Sequence, residues 1–128
     1  LRRQWQCFEG HAGKVLSARF SNDGRLIASG GGDCVVRLWN VATREQLFSL
    51  SGHKEEISAV AFLPDARRLV SSSGDGTLKL WDLESKQECG TLTGHTRWVM
   101  CMDVSSDGKM IASGSATPEP TVKFWDTN

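Results

Sequence analysis

Apolar residues along this chain come in short bursts of four to six, such as VLSARF at 15–20, LIAS at 26–29, VVRLW at 35–39 and EQLFSL at 45–50. The bursts are rich in β-branched, leucine and aromatic side chains, and turn-forming clusters bound them: Asn22-Asp23-Gly24, Gly31-Gly32-Asp33, Gly74-Asp75-Gly76 and Ser106-Asp107-Gly108. No segment keeps an apolar face at helical spacing for ten residues, so the pattern predicts an all-β chain of short strands. Tight turns between successive bursts make the strands antiparallel.

The pattern repeats with a period of 42 residues, because His11, His53 and His95 are spaced 42 and 42 apart and each follows a glycine. Counted from each histidine, an aspartate lies 12 residues on (Asp23, Asp65, Asp107) and a serine 18 on (Ser29, Ser71, Ser113). A second aspartate lies 22 on in two copies (Asp33, Asp75), and a tryptophan 28, 28 and 30 on (Trp39, Trp81, Trp125). Each unit therefore holds four strands, named a to d from the histidine. Strand a is expected at 15–20, 57–62 and 99–104, b at 26–30, 68–72 and 110–114, c at 35–39, 77–81 and 121–125, and d at 46–50 and 88–92. The units then run 10–51, 52–93 and 94–128, the third without strand d. Residues 1–9 hold an orphan outer strand at Trp5–Phe8, since Phe8, Leu50 and Leu92 all stand three before a histidine.

With its glycine-histidine pairs, its four-strand period and its closing Trp81-Asp82 and Trp125-Asp126, with Trp39-Asn40 as a near match, the chain resembles the WD-repeat β-propeller family. The resemblance covers nearly all of the sequence. It implies three four-stranded antiparallel blades, and a network that staples each blade by indole N–H to serine hydroxyl, hydroxyl to imidazole, and imidazole N–H to carboxylate. Carried onto this chain, the network is Trp39, Ser29, His11, Asp33 and Trp81, Ser71, His53, Asp75. A hairpin centred on Gly76 is expected to set Ser71 opposite Trp81. The third network, His95, Ser113 and Trp125, lacks its aspartate, because the b–c connection Ser113–Pro120 is two residues longer. Either the loop has drifted and Glu119 or a water takes the place of the carboxylate, or Pro118 and Pro120 stiffen a raised loop at the end where partners commonly dock in that family.

Serine, histidine and aspartate are also the residue types of a hydrolase triad, and three features argue against that chemistry. The set recurs, a tryptophan occupies the serine hydroxyl, and no G-x-S-x-G elbow surrounds Ser29 or Ser71. No cofactor motif or metal-ligand spacing is present, and Cys7, Cys34, Cys89 and Cys101 show no paired spacing, so they are expected as small apolar fillers rather than as disulfides or ligands. Fifteen basic and fifteen acidic residues give a net charge of zero, which removes the electrostatic basis for nucleic-acid or anionic-membrane binding. No leader or targeting pattern is visible, which leaves the cytoplasm or nucleus as the expected location.

What remains is a non-catalytic scaffold for a protein or peptide. In related propellers the starts of the a strands line the rim of a central channel, with Gly32 and Gly74 beside them. Here those starts are Lys14 and Leu16, Glu56 and Ser58, and Trp98 and Met100. Trp98 and Met100 are the candidate anchors, with Pro118 and Glu119 nearby. A peptide-reading adaptor of a ubiquitin-ligase or histone-associated complex is the narrower alternative. Three blades leave two apolar flanks open. Closure is expected either as one arc of a longer propeller, the preferred reading because Leu1 resembles an internal cut, or from two copies joined end to start.

Overall fold

The computed structural model describes residues 7–116 and 120–128. Among them eleven strands and no helix occur: β1 (Val15–Phe20), β2 (Leu26–Gly31), β3 (Val35–Asn40), β4 (Gln46–Ser51), β5 (Ile57–Phe62), β6 (Arg68–Ser73), β7 (Leu78–Asp82), β8 (Gln87–Leu92), β9 (Val99–Val104), β10 (Met110–Ser115) and β11 (Val122–Asp126). They form three antiparallel sheets in the order β1-β2-β3-β4, β5-β6-β7-β8 and β11-β10-β9. The first two sheets have four strands and the third has three. Of the expected orphan strand, Trp5 and Gln6 lie outside the described residues, and Cys7 and Phe8 belong to no strand. The Phe8 ring meets Trp39 edge-on at 5.6 Å between centroids.

Local chemistry explains the turns. In two of the a–b turns a serine hydroxyl donates to the turn aspartate, Ser21 to Asp23 and Ser105 to Asp107, both at 2.7 Å, while Asp65 accepts the backbone N–H groups of Arg67 and Arg68. Gly24 and Gly108 supply the positive φ of 72° and 73° that these turns need, and in the second sheet Ala66 is forced to 57°. The residue after Trp39 and the residue after Trp81 cap the turns that follow. Asn40 Oδ1 accepts from Thr43 N–H at 3.0 Å, and Asp82 Oδ1 accepts from Glu84 and Ser85 N–H at 2.9 Å. Asparagine does this job as well as aspartate, which accounts for Trp39-Asn40.

The core lies between sheets. Val36, Leu38 and Leu50 of the first sheet pack against Ile57, Val60, Phe62 and Trp81 of the second. Val70, Leu78 and Leu80 of the second pack against Val99, Met102 and Ile111 of the third. The first strands β1, β5 and β9 are neighbours across these joints, which puts them at the inner edge of the array and β4 and β8 at the outer edge. Each first strand opens with an irregular register, at Val15/Ser17, at Ile57/Ala59 and at Val99/Cys101. Leu16, Ser58 and Met100 are the bulged residues, turned out of the ladder at one shared position.

Two expectations need correction. Ser71 pairs with Lys79, and Leu69 faces Trp81. The b–c hairpin is closed by Ser73 and Thr77, whose backbone groups meet at 3.1 Å, so it is centred on Asp75 rather than Gly76. The shift is two residues, which preserves the sheet face and leaves Ser71 and Trp81 diagonal neighbours. Of the cysteines expected as small apolar fillers in strands and turns, Cys89 and Cys101 do lie on strands and Cys34 in a turn, but Cys7, Cys89 and Cys101 are exposed and Cys34 is half-buried, so they fill no packed space. Cys101 lies on a sheet face that no further sheet covers among the described residues, and Cys89 lies on the outer-edge strand β8.

Candidate functional site

In the second sheet Trp81 Nε1–H donates to Ser71 Oγ at 2.8 Å, Ser71 Oγ lies 2.7 Å from His53 Nε2, and His53 Nδ1 lies 2.9 Å from Asp75 Oδ2. An indole only donates, so the serine oxygen accepts it and passes its own hydrogen to Nε2. His53 then carries its proton on Nδ1, where the carboxylate accepts it. The first sheet repeats the set: Trp39 Nε1 to Ser29 Oγ at 2.8 Å, Ser29 Oγ to His11 Nε2 at 2.6 Å, and His11 Nδ1 to Asp33 Oδ2 at 3.0 Å. Each aspartate also accepts the backbone N–H that follows its histidine, Ala12 at 3.2 Å and Lys54 at 3.1 Å. The d–a loop and the b–c turn are thereby tied together. The glycine before each histidine lets the indole lie against the backbone. A Cβ on Gly52 would stand 3.1 Å from Trp81 Cη2.

Burial raises the pKa of the Asp75 carboxyl, but hydrogen bonds from Thr77, His53 and the backbone N–H of Lys54 outweigh it and hold the group at about 2. For Asp33 burial is likewise outweighed, by the N–H of Ala12, by His11 and by the N–H of Val35, and its pKa is lowered. Burial pushes His53 down, against the opposing pull of Asp75, so the imidazole is held neutral.

The third sheet brings together His95 Nε2 and Ser113 Oγ at 2.7 Å, and Trp125 Nε1 and Ser113 Oγ at 2.8 Å. Thr121 Oγ1 stands 3.5 Å from His95 Nδ1, and Ser115 Oγ is 3.0 Å from the same hydroxyl. Thr77 holds the matching place beside His53, at 3.4 Å, while donating to Asp75 Oδ1 at 2.6 Å. The spacing argument missed both threonines, because the two extra residues before Thr121 conceal its equivalence to Thr77. It also missed Arg37, whose guanidinium reaches Asp33 Oδ2 at 3.3 Å in the sheet that has Val35 where the second has Thr77. Pro118 and Glu119 lie outside the described residues.

The six positions expected at the rim lie in or just before the starts of β1, β5 and β9. Lys14 Nζ pairs with Glu56 Oε1 at 3.2 Å, bridging the first two sheets. The backbone carbonyl of Glu56 accepts the N–H of Gly74 at 2.9 Å, and the Trp98 indole lies on that same glycine, where a Cβ would stand 2.6 Å from Cε2. Ser58 Oγ bonds Ser72 Oγ at 2.8 Å. Trp98 thus packs on the neighbouring sheet by one ring face and remains 40% exposed, and Met100 and Leu16 are exposed as well. Arg67 and Arg68 sit at the opposite end, paired with Asp82 and Asp65.

Three sheets of one pattern, each closed by the same tryptophan-serine-histidine contact, define a repeat protein whose units pack face to face. The chain matches the family described as WD domain, G-beta repeat (WD40), over residues 2–40, 44–82 and 86–126, and it belongs to that family. Among curated proteins, a Notchless protein homolog of Arabidopsis thaliana is 47% identical over 49 residues, 38% of this chain and 10% of that protein. The small ribosomal subunit protein RACK1z of the same plant is 51% identical over 41 residues, 32% of this chain and 12% of that protein. The vegetative incompatibility protein HET-E-1 of Podospora anserina is 45% identical over 38 residues, 30% of this chain and 3% of that protein. The matched stretches therefore span about a tenth of the first two relatives and less of the third.

Proposed function

We propose that the chain is a non-catalytic interaction scaffold, a WD-repeat propeller segment that binds a protein or peptide through the rim of d–a loops and b–c turns, at Lys14, Leu16, Glu56, Ser58, Trp98 and Met100. The observation that carries this reading is Trp98, an aromatic anchor fixed against Gly74 on one face and open on the other. A large side chain already immobilised loses little entropy when a partner covers it. The bulges turn Leu16 and Met100 outward at the same end. One relative is named as a protein of the small ribosomal subunit, a component of a larger assembly, which fits a scaffold role.

A hydrolase reading has the right residue types and the wrong access. Ser71 is fully buried, and its hydroxyl is already engaged by Trp81 and His53, so an acyl substrate has no approach to it. A fluorophosphonate probe is expected to leave Ser29 and Ser71 unlabelled.

The test of the rim uses peptides selected from a displayed library against the immobilised protein. Trp98→Ala is expected to weaken the selected peptides at least tenfold while the far-UV spectrum stays unchanged, and Arg67→Ala at the opposite end to leave them alone. Equal binding by Trp98→Ala and the parent protein overturns the rim assignment.

A further inference from the structure

The two joints between sheets differ at the end where the a–b turns lie. Between the second and third sheets that end is plugged by the chain itself. Pro64 stacks on Gly108, where a Cβ would stand 2.7 Å from the ring Cδ, and Gly108 is buried. Leu63 is 1% exposed, and Arg68 reaches across to the carbonyl of Thr127 at 2.7 Å. At the first joint, 42 residues earlier, the places of Leu63, Pro64 and Arg68 are held by Ser21, Asn22 and Leu26. Ser21 Oγ folds back into its own turn, donating to Asp23 at 2.7 Å and accepting the N–H of Leu26 at 3.0 Å, and Asn22 is exposed. On the facing sheet Ala66, which matches the buried Gly108, is exposed, and Leu83, which matches Thr127, is half-buried.

The first joint therefore keeps a hollow of about 120 Å³, whose lining includes Asn22, Asp23, Leu26, Leu63, Ala66 and Leu83. It lies inside a joint that this chain already makes, so repeats stacked on either flank would leave it open. Cavities that hold a whole small molecule run to about 300–1,000 Å³, and a hollow of this size takes a single side chain. One ionised group lines it, Asp23, and no cation does. Hydrogen bonds from the N–H of Arg25 and from Ser21 hold that carboxyl below its ordinary pKa, and both fall on Oδ1.

We propose that this hollow is a second docking site, which takes a proline of a partner's extended segment with a basic residue beside it. The inference is independent of the rim reading, because the hollow lies at the opposite end of the strands. What supports a proline is the next joint, where the chain's own proline fills the matching place and buries the matching glycine. Ala66 carries a methyl where Gly108 has none, so an incoming ring rests on that methyl rather than on bare backbone. The ring is rigid, and docking it costs little conformational entropy. The exposed Asp23 carboxylate attracts a basic neighbour and repels an acidic one.

The experiment titrates the methyl-labelled protein with a short synthetic peptide that carries Arg-Pro at the centre of an alanine and serine background. Saturable shifts are expected at the methyl groups of Leu26, Ala66 and Leu83, and peptides with Arg-Ala or Glu-Pro at the centre are expected to bind roughly fivefold more weakly or worse. Asn22→Pro moves the plug of the second joint into the first. The N–H of Asn22 makes none of the turn's backbone bonds, and Pro64 holds the matching place, so the turn accepts the ring. This variant is expected to lose about tenfold or more in affinity, because the hollow is filled. Asp23→Asn keeps the Oδ1 acceptor of the turn and is expected to bring the Arg-Pro and Glu-Pro peptides to within about twofold of each other. Trp98→Ala is expected to leave the titration unchanged. Equal binding of the Arg-Pro and Arg-Ala peptides, or methyl shifts indifferent to both Asn22→Pro and Asp23→Asn, overturns the proposal. Loss of binding in Trp98→Ala also overturns it, by placing the peptide at the rim, and leaves the rim reading standing. Shifts at the same three methyl groups on concentrating the protein without peptide overturn it in favour of a second copy as occupant.

Discussion

Replacing His53 by alanine tests the network where its cost is calculable from the contacts. The His53 side chain is fully buried, and it makes a 2.7 Å bond to Ser71, a 2.9 Å bond to Asp75 and an edge-on contact with Trp81 at 6.2 Å. A bond to a charged group is worth about 1.5–3 kcal/mol, and a neutral one about 1 kcal/mol. Asp75 keeps Thr77 and the N–H of Lys54 after the substitution, which trims the first figure, so a net loss of about 2–4 kcal/mol is expected. His95→Ala removes the 2.7 Å bond to Ser113 and a Thr121 contact at the 3.5 Å limit, next to a Trp125 that is only half-buried. Its expected cost is about 1–2 kcal/mol. Urea unfolding followed by circular dichroism and by tryptophan fluorescence measures both, with equal m-values required for the comparison. Destabilisation by the two variants that agrees within about 0.5 kcal/mol would refute the reasoning.

Other outcomes follow from the same contacts. Stability is expected to be full above pH 6.5 and to fall below it, because His53 and His95 have lowered pKa values and the unfolded chain takes up their protons first. A second loss is expected as the pH falls below 3.8, with Asp75 contributing down to about 2 alongside Asp33, whose pKa is also lowered, and Asp75→Asn should shrink that leg without abolishing it in an acid titration watched by circular dichroism. Ala66→Gly is expected to stabilise by about 0.5–1 kcal/mol in the same urea assay, since Ala66 holds a φ of 57° where the matching turns use glycine; destabilisation would contradict the turn account. Asn40→Asp is expected to leave the melting temperature within about 2 °C, and Asn40→Ala to lower it, because either polar side chain caps the turn at Thr43 and alanine cannot.

Much of the fold was readable because each landmark has a local cause. Glycine precedes histidine because the indole needs bare backbone, and the residue after the tryptophan is Asp or Asn because it caps a turn. Strand positions followed from counting between those points, and the ends of β1, β5 and β9 agree with the expected ranges. Register was less legible. The Asp75 turn closes on Ser73 and Thr77, and neither residue's role shows until the backbone is placed. The bulges at Leu16, Ser58 and Met100 were equally hidden, since nothing in VLSARF or ISAVAF marks an unpaired residue. The cysteine reading failed for a global reason: exposure at Cys101 depends on which sheet faces have neighbours, and local composition is silent on that.

The claim with most riding on it is that partners meet this protein at the end where Trp98, Glu56 and Lys14 gather. Chemical-shift mapping of a selected peptide on the isotopically labelled protein tests it directly. Shifts are expected to concentrate at the Trp98 indole N–H and at the backbone amides of Lys14, Leu16, Glu56, Ser58 and Met100. Shifts concentrated instead at Asp65, Arg67 and Arg68, in the turns at the opposite end, would contradict the account.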